Sequence, residues 1–146
     1  MIQQNKILLL SKRVLILTIF SASLMFGKPF LITGQMPHLT KTIKQNWNSQ
    51  ELALTDAQKK RLLQVRKKTM SSVIKLKKKI SALEKDVSTT TISGEIPQNL
   101  EAKVNQIAKL KADATMTHIK CIYDTKNILD AKQFEFLISK HYKIAL

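Results

Sequence analysis

The sequence predicts an all-α fold: a hairpin of two long helices with short flanking helices. Residues that favour turns are scarce, since the 146 residues include three glycines and three prolines, all outside the periodic stretches. Aromatic residues make up 5% of the chain, a low share for a protein built of many strands. Apolar residues recur every three or four positions over two long stretches, which is the spacing of one face of an α-helix.

The N-terminal stretch is interpreted as an export signal. Basic residues precede the apolar run 14–26, and a basic segment followed by a short apolar core is typical of a secretory leader. The run is too short to span a bilayer comfortably. We therefore expect a signal peptide over 1–34 and an exported helical domain over 35–146. An uncleaved inner-membrane anchor is the alternative.

The positive charge belongs to the predicted helical domain. The chain has a formal net charge of +15; removing 1–34 takes away four basic residues and no acids, which leaves +11. A charge of this size predicts an acidic partner. Nucleic acid is not expected, because the basic region lacks interleaved aromatic residues and the leader directs the chain to where nucleic acid is scarce.

A short helix is expected from Thr40 to about Asn48. Leu39, Ile43 and Trp47 recur every four residues and so lie on one helical face. We expect Trp47 to anchor this helix on the body of the protein. The segment before the helix is expected to be loose.

The first long helix is predicted over 55–87. Thr55 can cap its first turn while Gln58 reaches back to the Thr55 N–H, which is a capping box. Asp56 places negative charge at the favourable end of the helix dipole. One stripe of residues forms a seam that needs a partner helix. The seam consists of Leu62, Thr69, Val73, Leu76, Ile80, Leu83 and Val87.

The outside of this helix carries the candidate partner-binding residues. An apolar shoulder, about 100° round the helix from the seam, consists of Leu63, Met70 and Ile74. The cations assigned to binding are Lys60, Arg61, Arg66, Lys67, Lys68, Lys75, Lys77 and Lys78. A solvated surface is the ordinary explanation of a charge run, but here nearly all charges have one sign. Anionic lipid is a weaker hypothesis because it requires an exposed apolar side.

A second long helix is predicted after a break at 88–99. Asn99 is its expected N-cap, and the helix is expected from Leu100 to about Ile128. Its seam consists of Leu100, Val104, Ile107, Leu110, Ala114, His118, Cys121, Thr125 and Ile128. A last helix is expected to begin at Asp130.

The second long helix has another apolar face on its far side. This face consists of Met116, Ile119 and Tyr123. A helix with two apolar faces uses one for the core and the other for an interface, either with a second copy of the chain or with a client.

Catalytic and metal-binding patterns are weak. The chain has no glycine-rich phosphate loop and no Ser/His/Asp spacing, and its acids are single, so neither an enzyme nor a cofactor is expected. His118 and Cys121, three residues apart, are weak candidates for metal ligands. His38 and His141 lie elsewhere in the sequence. A core histidine and a buried thiol are the commoner explanation, so no metal is expected.

The capping motif at 54–58 has a near-copy at 129–133. Two such motifs around a long hairpin resemble the Leu-Thr-x-x-Gln motifs of the Spy/CpxP family of periplasmic stress proteins, over about residues 47–142. Asp130 stands where the family has Thr, and Asp caps a helix equally well. The motif residues carried over as fold determinants are Leu54, Thr55, Gln58, Leu129, Asp130 and Gln133.

The resemblance implies a function as well as a fold. Family members form helical hairpins that dimerise into a cradle-shaped body with a basic concave face. Spy-like members are ATP-independent chaperones, which makes a holdase-type chaperone of the envelope stress response, acting on unfolded or acidic clients, the leading hypothesis. CpxP-like members restrain a sensor kinase, so the alternative is a negative regulator that docks on the periplasmic domain of an envelope-stress histidine kinase. Some relatives bind zinc or nickel, and a metal-binding sensor is the second alternative.

Overall fold

The computed structural model describes residues 28–142, which form four helices and contain no strand. The helices are α1 (Leu39–Gln45), α2 (Asp56–Ile92), α3 (Pro97–Lys126) and α4 (Ala131–Tyr142). The two long helices, α2 and α3, pack together as a hairpin, and α1 packs on α4. The predicted all-α hairpin with short flanking helices is confirmed. The predicted leader, 1–34, lies outside the described residues except for its last part.

No helix among residues 28–142 is long and apolar enough to cross a membrane. The segment that precedes α1 lies across α3. The Leu31 N–H donates a hydrogen bond to Thr115 Oγ1 at 2.8 Å, and the Tyr142 hydroxyl donates to the Gln35 carbonyl at 3.3 Å. The segment from Gln35 to the start of α1, which was expected to be loose, contacts the helices through the Gln35 carbonyl and the His38 ring.

The first long helix begins where the sequence predicts and ends later. Thr55 Oγ1 accepts from the Gln58 N–H at 3.2 Å and the two residues form the capping box. The helix continues past 87 to Ile92. The hydroxyls of Thr89, Thr90 and Thr91 donate to carbonyls four residues earlier at 2.7–2.9 Å. A run of hydroxyl residues can bond along a helix as well as break it, which is why the predicted end was too early.

The turn between the long helices is short, and α3 starts earlier than predicted. Gly94 adopts a φ of +86°, a conformation that favours glycine. Pro97 occupies the first turn, where its missing N–H and fixed φ are tolerated. Asn99 therefore lies inside the helix and does not cap it; its side chain donates to the Glu95 carboxylate at 2.6 Å.

The predicted seams meet between the two long helices. Leu62 and Ile80 of α2 are buried, as are Leu100, Ala114 and Cys121 of α3. One seam residue was assigned wrongly.

Val104 is 49% exposed although the sequence places it in the α3 seam. It stands about 50° round the helix from the line through Leu100 and Ile107, so its side chain turns away from α2. Two ion pairs of 2.7 Å cross the hairpin: Lys103 with Asp86, and Lys111 with Glu84. All four side chains are partly exposed, so each pair contributes little to stability.

The main core lies at the end of the hairpin where all four helices meet. Its buried residues are Leu39, Ile43, Leu52, Leu54, Leu62, Ile128 and Leu137. Trp47 and Leu129 are partly buried and pack against this cluster. The helix predicted from Thr40 to about Asn48 ends earlier, at Gln45, so Trp47 packs against the core from the turn that follows α1.

The two capping motifs contact each other through their glutamines. Gln58 Nε2 donates to Gln133 Oε1 at 2.8 Å, and Gln133 Nε2 lies 3.3 Å from Gln58 Oε1. Each amide nitrogen also reaches the backbone beside the other motif. Gln58 Nε2 donates to the Ile128 carbonyl at 3.0 Å, and Gln133 Nε2 donates to the Leu52 carbonyl at 2.9 Å.

Each glutamine oxygen meanwhile closes its own capping box. Gln58 Oε1 accepts from the Thr55 N–H, and Gln133 Oε1 accepts from the Asp130 N–H, both at 3.0 Å. Asp130 Oδ1 in turn accepts from the Gln133 N–H at 2.8 Å, so aspartate caps α4 as threonine caps α2. The starts of α2 and α4 are thereby tied together.

Replacement of Gln133 by alanine tests this connection. Gln133 is buried, so Gln133→Ala leaves the Leu52 carbonyl and the Asp130 N–H without their partner, and we expect a loss of about 2–3 kcal/mol in the free energy of unfolding. Urea unfolding followed by circular dichroism measures it. Gln106→Ala, at an exposed site of α3, is the control and should change stability by less than about 0.5 kcal/mol.

A double variant separates the amide pair from two independent caps. Because Gln58 and Gln133 contact each other, the loss in Gln58→Ala/Gln133→Ala should be smaller than the sum of the single losses. Strictly additive losses would show that the two glutamines act separately.

Candidate functional site

The predicted binding residues of α2 are open to solvent with one exception. Arg66 is partly buried, and the other ten are exposed: Lys60, Arg61, Lys67, Lys68, Lys75, Lys77, Lys78, Leu63, Met70 and Ile74. Residues 57–83 contain ten lysines and arginines and no acid, so the surface of this part of α2 has charges of one sign only.

Leu63, Met70 and Ile74 form an exposed row that we call the apolar stripe. Their side chains are 55%, 42% and 47% exposed, and spacings of seven and four place them on one side of α2. Cations border the stripe on both sides. By helical geometry one border consists of Lys60, Lys67 and Lys78, and the other of Lys59, Arg66 and Lys77.

A groove between α1 and α2 brings two of the predicted residues together with residues for which the sequence predicted no binding role. The groove has a volume of about 520 Å³. Its floor contains Ile43 and Leu62, each 2% exposed. The residues lining it are Thr40, Ile43, Lys44, Trp47, Leu62, Leu63 and Arg66.

The charges at this groove are both positive. Arg66 Nη1 makes a long contact of 3.5 Å with Thr40 Oγ1, which leaves most guanidinium donors for other partners. Within residues 28–142 neither Arg66 nor Lys44 forms an ion pair with a carboxylate. The four-residue spacing of Leu39, Ile43 and Trp47 identified a packed helix face, but it carried no signal that Trp47 would also form a groove wall.

A second groove, of about 530 Å³, lies between α2 and α3 and is more polar. Arg61 and Lys68 contribute to it from α2. Lys120 and Asp124 contribute from α3, and their side chains form an ion pair of 3.0 Å. The predicted binding residues are thus divided among the apolar stripe and two grooves on different sides of α2.

The second apolar face of α3 is also exposed. Met116, Ile119 and Tyr123 are 61%, 37% and 63% exposed and lie on one side of the helix. Acidic and basic residues both occur near them in the sequence, among them Asp113 and Lys120. This face therefore differs from the α2 face in having charges of both signs.

The weak metal candidates, His118 and Cys121, are buried against the hairpin. His38, which is distant in the sequence, stacks on His118 with ring centroids 4.7 Å apart, and Phe30 lies 5.2 Å from the same ring. His118 Nδ1 has no hydrogen-bond partner among the described residues. Within that part of the chain no group of three or more His, Cys, Asp or Glu residues could hold a metal ion.

Both stacked histidines have a lowered pKa, which favours the neutral ring. Burial is the main cause that lowers the pKa of each below the ordinary 6.5. For His38 the positive charges of His141, Lys41 and Lys28 act in the same direction. For His118 the charge of His38 does so, while the Pro37 carbonyl, as a hydrogen-bond acceptor, raises the pKa by a smaller amount.

These pKa shifts predict a loss of stability in acid. In the unfolded chain both histidines take up protons near pH 6.5, whereas in the folded chain they do so only at lower pH, so protons favour unfolding. Stability should be highest above that pH, fall as the pH drops through it, and level off below the folded-state values. Urea midpoints measured across this range in wild type and in His118→Gln test it; an equally steep fall in the variant would contradict the assignment.

Comparisons with family models, with curated proteins and with solved structures gave no match to this chain. The resemblance to the Spy/CpxP family therefore stays a prediction that rests on the two capping motifs and their placement.

Proposed function

We propose that this chain is an exported, ATP-independent holdase-type chaperone that binds unfolded or acidic protein segments on the outer face of α2. The observation that carries the proposal is the apolar stripe, exposed along its length and bordered on both sides by cations in an acid-free stretch of helix. A groove lined by Trp47 and Leu63 adjoins one end of it.

The cations supply the first, long-range step. None of the three ion pairs among the described residues involves Lys60, Lys67 or Lys78, so their charge is not neutralised within this part of the chain. A surface of one sign raises the rate at which acidic segments arrive. Because the charges are exposed, salt should weaken this step strongly.

The apolar side chains supply the second step. From Leu63 to Ile74 the stripe is about 16 Å long, enough for about five residues of an extended segment. A large apolar side chain of the client can also enter the groove above Ile43 and Leu62. These contacts are shallow, so a bound segment can dissociate without nucleotide hydrolysis, as a holdase requires.

An aggregation assay with an acidic client tests the proposal. We expect wild type to suppress aggregation, and to do so better in low salt than in high salt. In low salt only, more of the Lys67→Gln/Lys78→Gln variant than of wild type should be required to suppress aggregation to the same extent. Lys109→Gln/Lys132→Gln, which removes two exposed charges outside α2, is the control. Absence of suppression at both salt concentrations would refute the proposal.

The apolar contribution is tested with a triple variant. Leu63→Gln/Met70→Gln/Ile74→Gln keeps good helix formers in α2, and we expect it to lose suppression in both low and high salt. The matched control replaces three exposed apolar residues at the other end of the hairpin, Ile92, Ile96 and Val104, by glutamine. Equal loss in both triple variants would mean that the stripe has no special part in client binding.

We place the contact between two copies of the chain, which the resemblance implies, on the exposed face of α3. Met116, Ile119 and Tyr123 supply apolar area, and charges of both signs nearby allow two identical faces to approach. Met116→Lys/Tyr123→Lys should shift the protein from dimer to monomer in sedimentation equilibrium. A wild-type protein that sediments as a monomer would rule out this interface.

A kinase regulator is the other function that the same face would serve, with an acidic sensor domain in place of varied clients. Capture of partners from an envelope extract separates the two. Many soluble proteins favour the chaperone, whereas one membrane protein in stoichiometric amount favours the regulator.

A further inference from the structure

We propose that the outer face of α2 is also a docking surface for a membrane that contains anionic phospholipid. Lipid binding by a helix requires an apolar row that is open to solvent and cations on either side of it. The structure supplies both: the apolar stripe is about half exposed, and cations border it on each side. From the sequence alone, lipid binding was the weaker hypothesis, because the seam pattern did not show that a second apolar row would be exposed to solvent.

The geometry suits a helix that lies flat on the lipid surface. With the stripe facing the bilayer, Leu63, Met70 and Ile74 reach the boundary between headgroups and acyl chains. The bordering lysines have long apolar stems, which can lie along that boundary while their ammonium groups remain among the lipid phosphates. The acid-free stretch, 57–83, is about 40 Å long, so many headgroups can be contacted at once.

The acids that end this stretch do not oppose such docking. Glu84 and Asp86 form ion pairs with Lys111 and Lys103 of α3, each at 2.7 Å. Their charges are therefore partly neutralised and directed toward the hairpin partner. No repulsion of lipid phosphate arises along the stripe itself.

The exposed face of α3 gives an internal comparison. Its apolar residues are as exposed as those of the stripe, but Asp113 lies near them on the same helix and forms no ion pair with another described residue. Acidic side chains near an anionic surface are repelled, so the α3 face fits lipid less well. The charge pattern thus assigns the membrane to α2 and gives the docked hairpin one orientation.

Depth-dependent quenching of a single tryptophan reports lipid contact at that site only. It therefore locates the contact in the full-length chain even if the N-terminal segment also binds lipid. Trp47 is the single tryptophan, so Trp47→Phe provides a background for one reporter at Met70→Trp or, as control, at Val104→Trp on α3. The probes are vesicles of equal parts phosphatidylcholine and brominated phosphatidylglycerol. We expect a blue shift and quenching for the reporter at 70 and neither for the reporter at 104. Equal responses at both sites, or none at 70, would overturn the proposal.

Affinity measurements separate lipid docking from attraction to any polyanion. Flotation with the same lipids should show about fivefold weaker binding for each cation removed in Lys67→Gln/Lys78→Gln, and little change in Lys109→Gln/Lys132→Gln. The variant Leu63→Gln/Met70→Gln/Ile74→Gln should bind vesicles at least about tenfold more weakly. It should bind soluble polyphosphate as wild type does. If that variant binds vesicles normally, the face attracts polyanions only and the proposal fails.

This inference is independent of the chaperone proposal although both use one face. Vesicle docking without any suppression of aggregation would refute the chaperone alone, and suppression without docking would refute the membrane surface alone. If both hold, anionic vesicles should compete with an acidic client and raise the amount of protein needed to suppress its aggregation, whereas phosphatidylcholine vesicles should not.

Discussion

Gln58 and Gln133 each perform two tasks with one amide, and the arrangement of the helices depends on this. The oxygen of each amide accepts from the N–H at the start of its own helix, and the nitrogen donates across to the other motif. A glutamate at either position would still close a capping box but has no donor to offer the opposite backbone. The amide therefore converts two local helix starts into one tertiary contact between segments far apart in sequence.

This contact determines which surfaces are covered. By joining the starts of α2 and α4, the amide pair closes the end of the hairpin over Leu39, Leu52 and Leu137, where α1 also packs. Only the first turns of α2 receive that cover. Further along, the partner of α2 among residues 28–142 is α3, and Met70 and Ile74 are exposed within that part of the chain. The exposure of Met70 and Ile74 thus follows from how the hairpin is closed, whereas Leu63 is 55% exposed even at the end where α1 packs.

Features with a local cause could be read from the sequence. The capping box of Thr55 and Gln58 needs only neighbouring residues, and the seams follow from spacing, so the hairpin and its partner faces were predicted. Features that depend on distant segments could not be. His38 stacks on His118 because the segment before α1 crosses α3. No periodic pattern in the sequence predicts that crossing.

The groove at Trp47 is a second feature that depends on distant segments and could not be predicted from local spacing. The four-residue spacing of Ile43 and Trp47 predicted one helical face, but α1 ends at Gln45 and Trp47 packs against the core from the following turn. Whether the rest of the indole forms a wall beside Leu63 and Arg66 depends on how far α1 stands from α2, a distance that local spacing does not contain. The end of α2 was predicted too early for a different reason. Threonine hydroxyls can hydrogen-bond to the backbone of a turn or to a carbonyl one helical turn earlier, and in α2 they do the latter.

The sign of the charges on α2 carries the strongest argument that its outer face binds something. Pairs such as Lys75 and Lys79, four residues apart, repel one another and weaken the helix, whereas interspersed acids would stabilise it. In α3 a stabilising pair of opposite charges is present at this spacing, Lys120 with Asp124. The α2 helix instead has its acids at the two ends and relies on the seam and the glutamine pair for stability. An acid-free surface maintained against its own repulsion is expected where an acidic partner or an anionic surface supplies the missing charge.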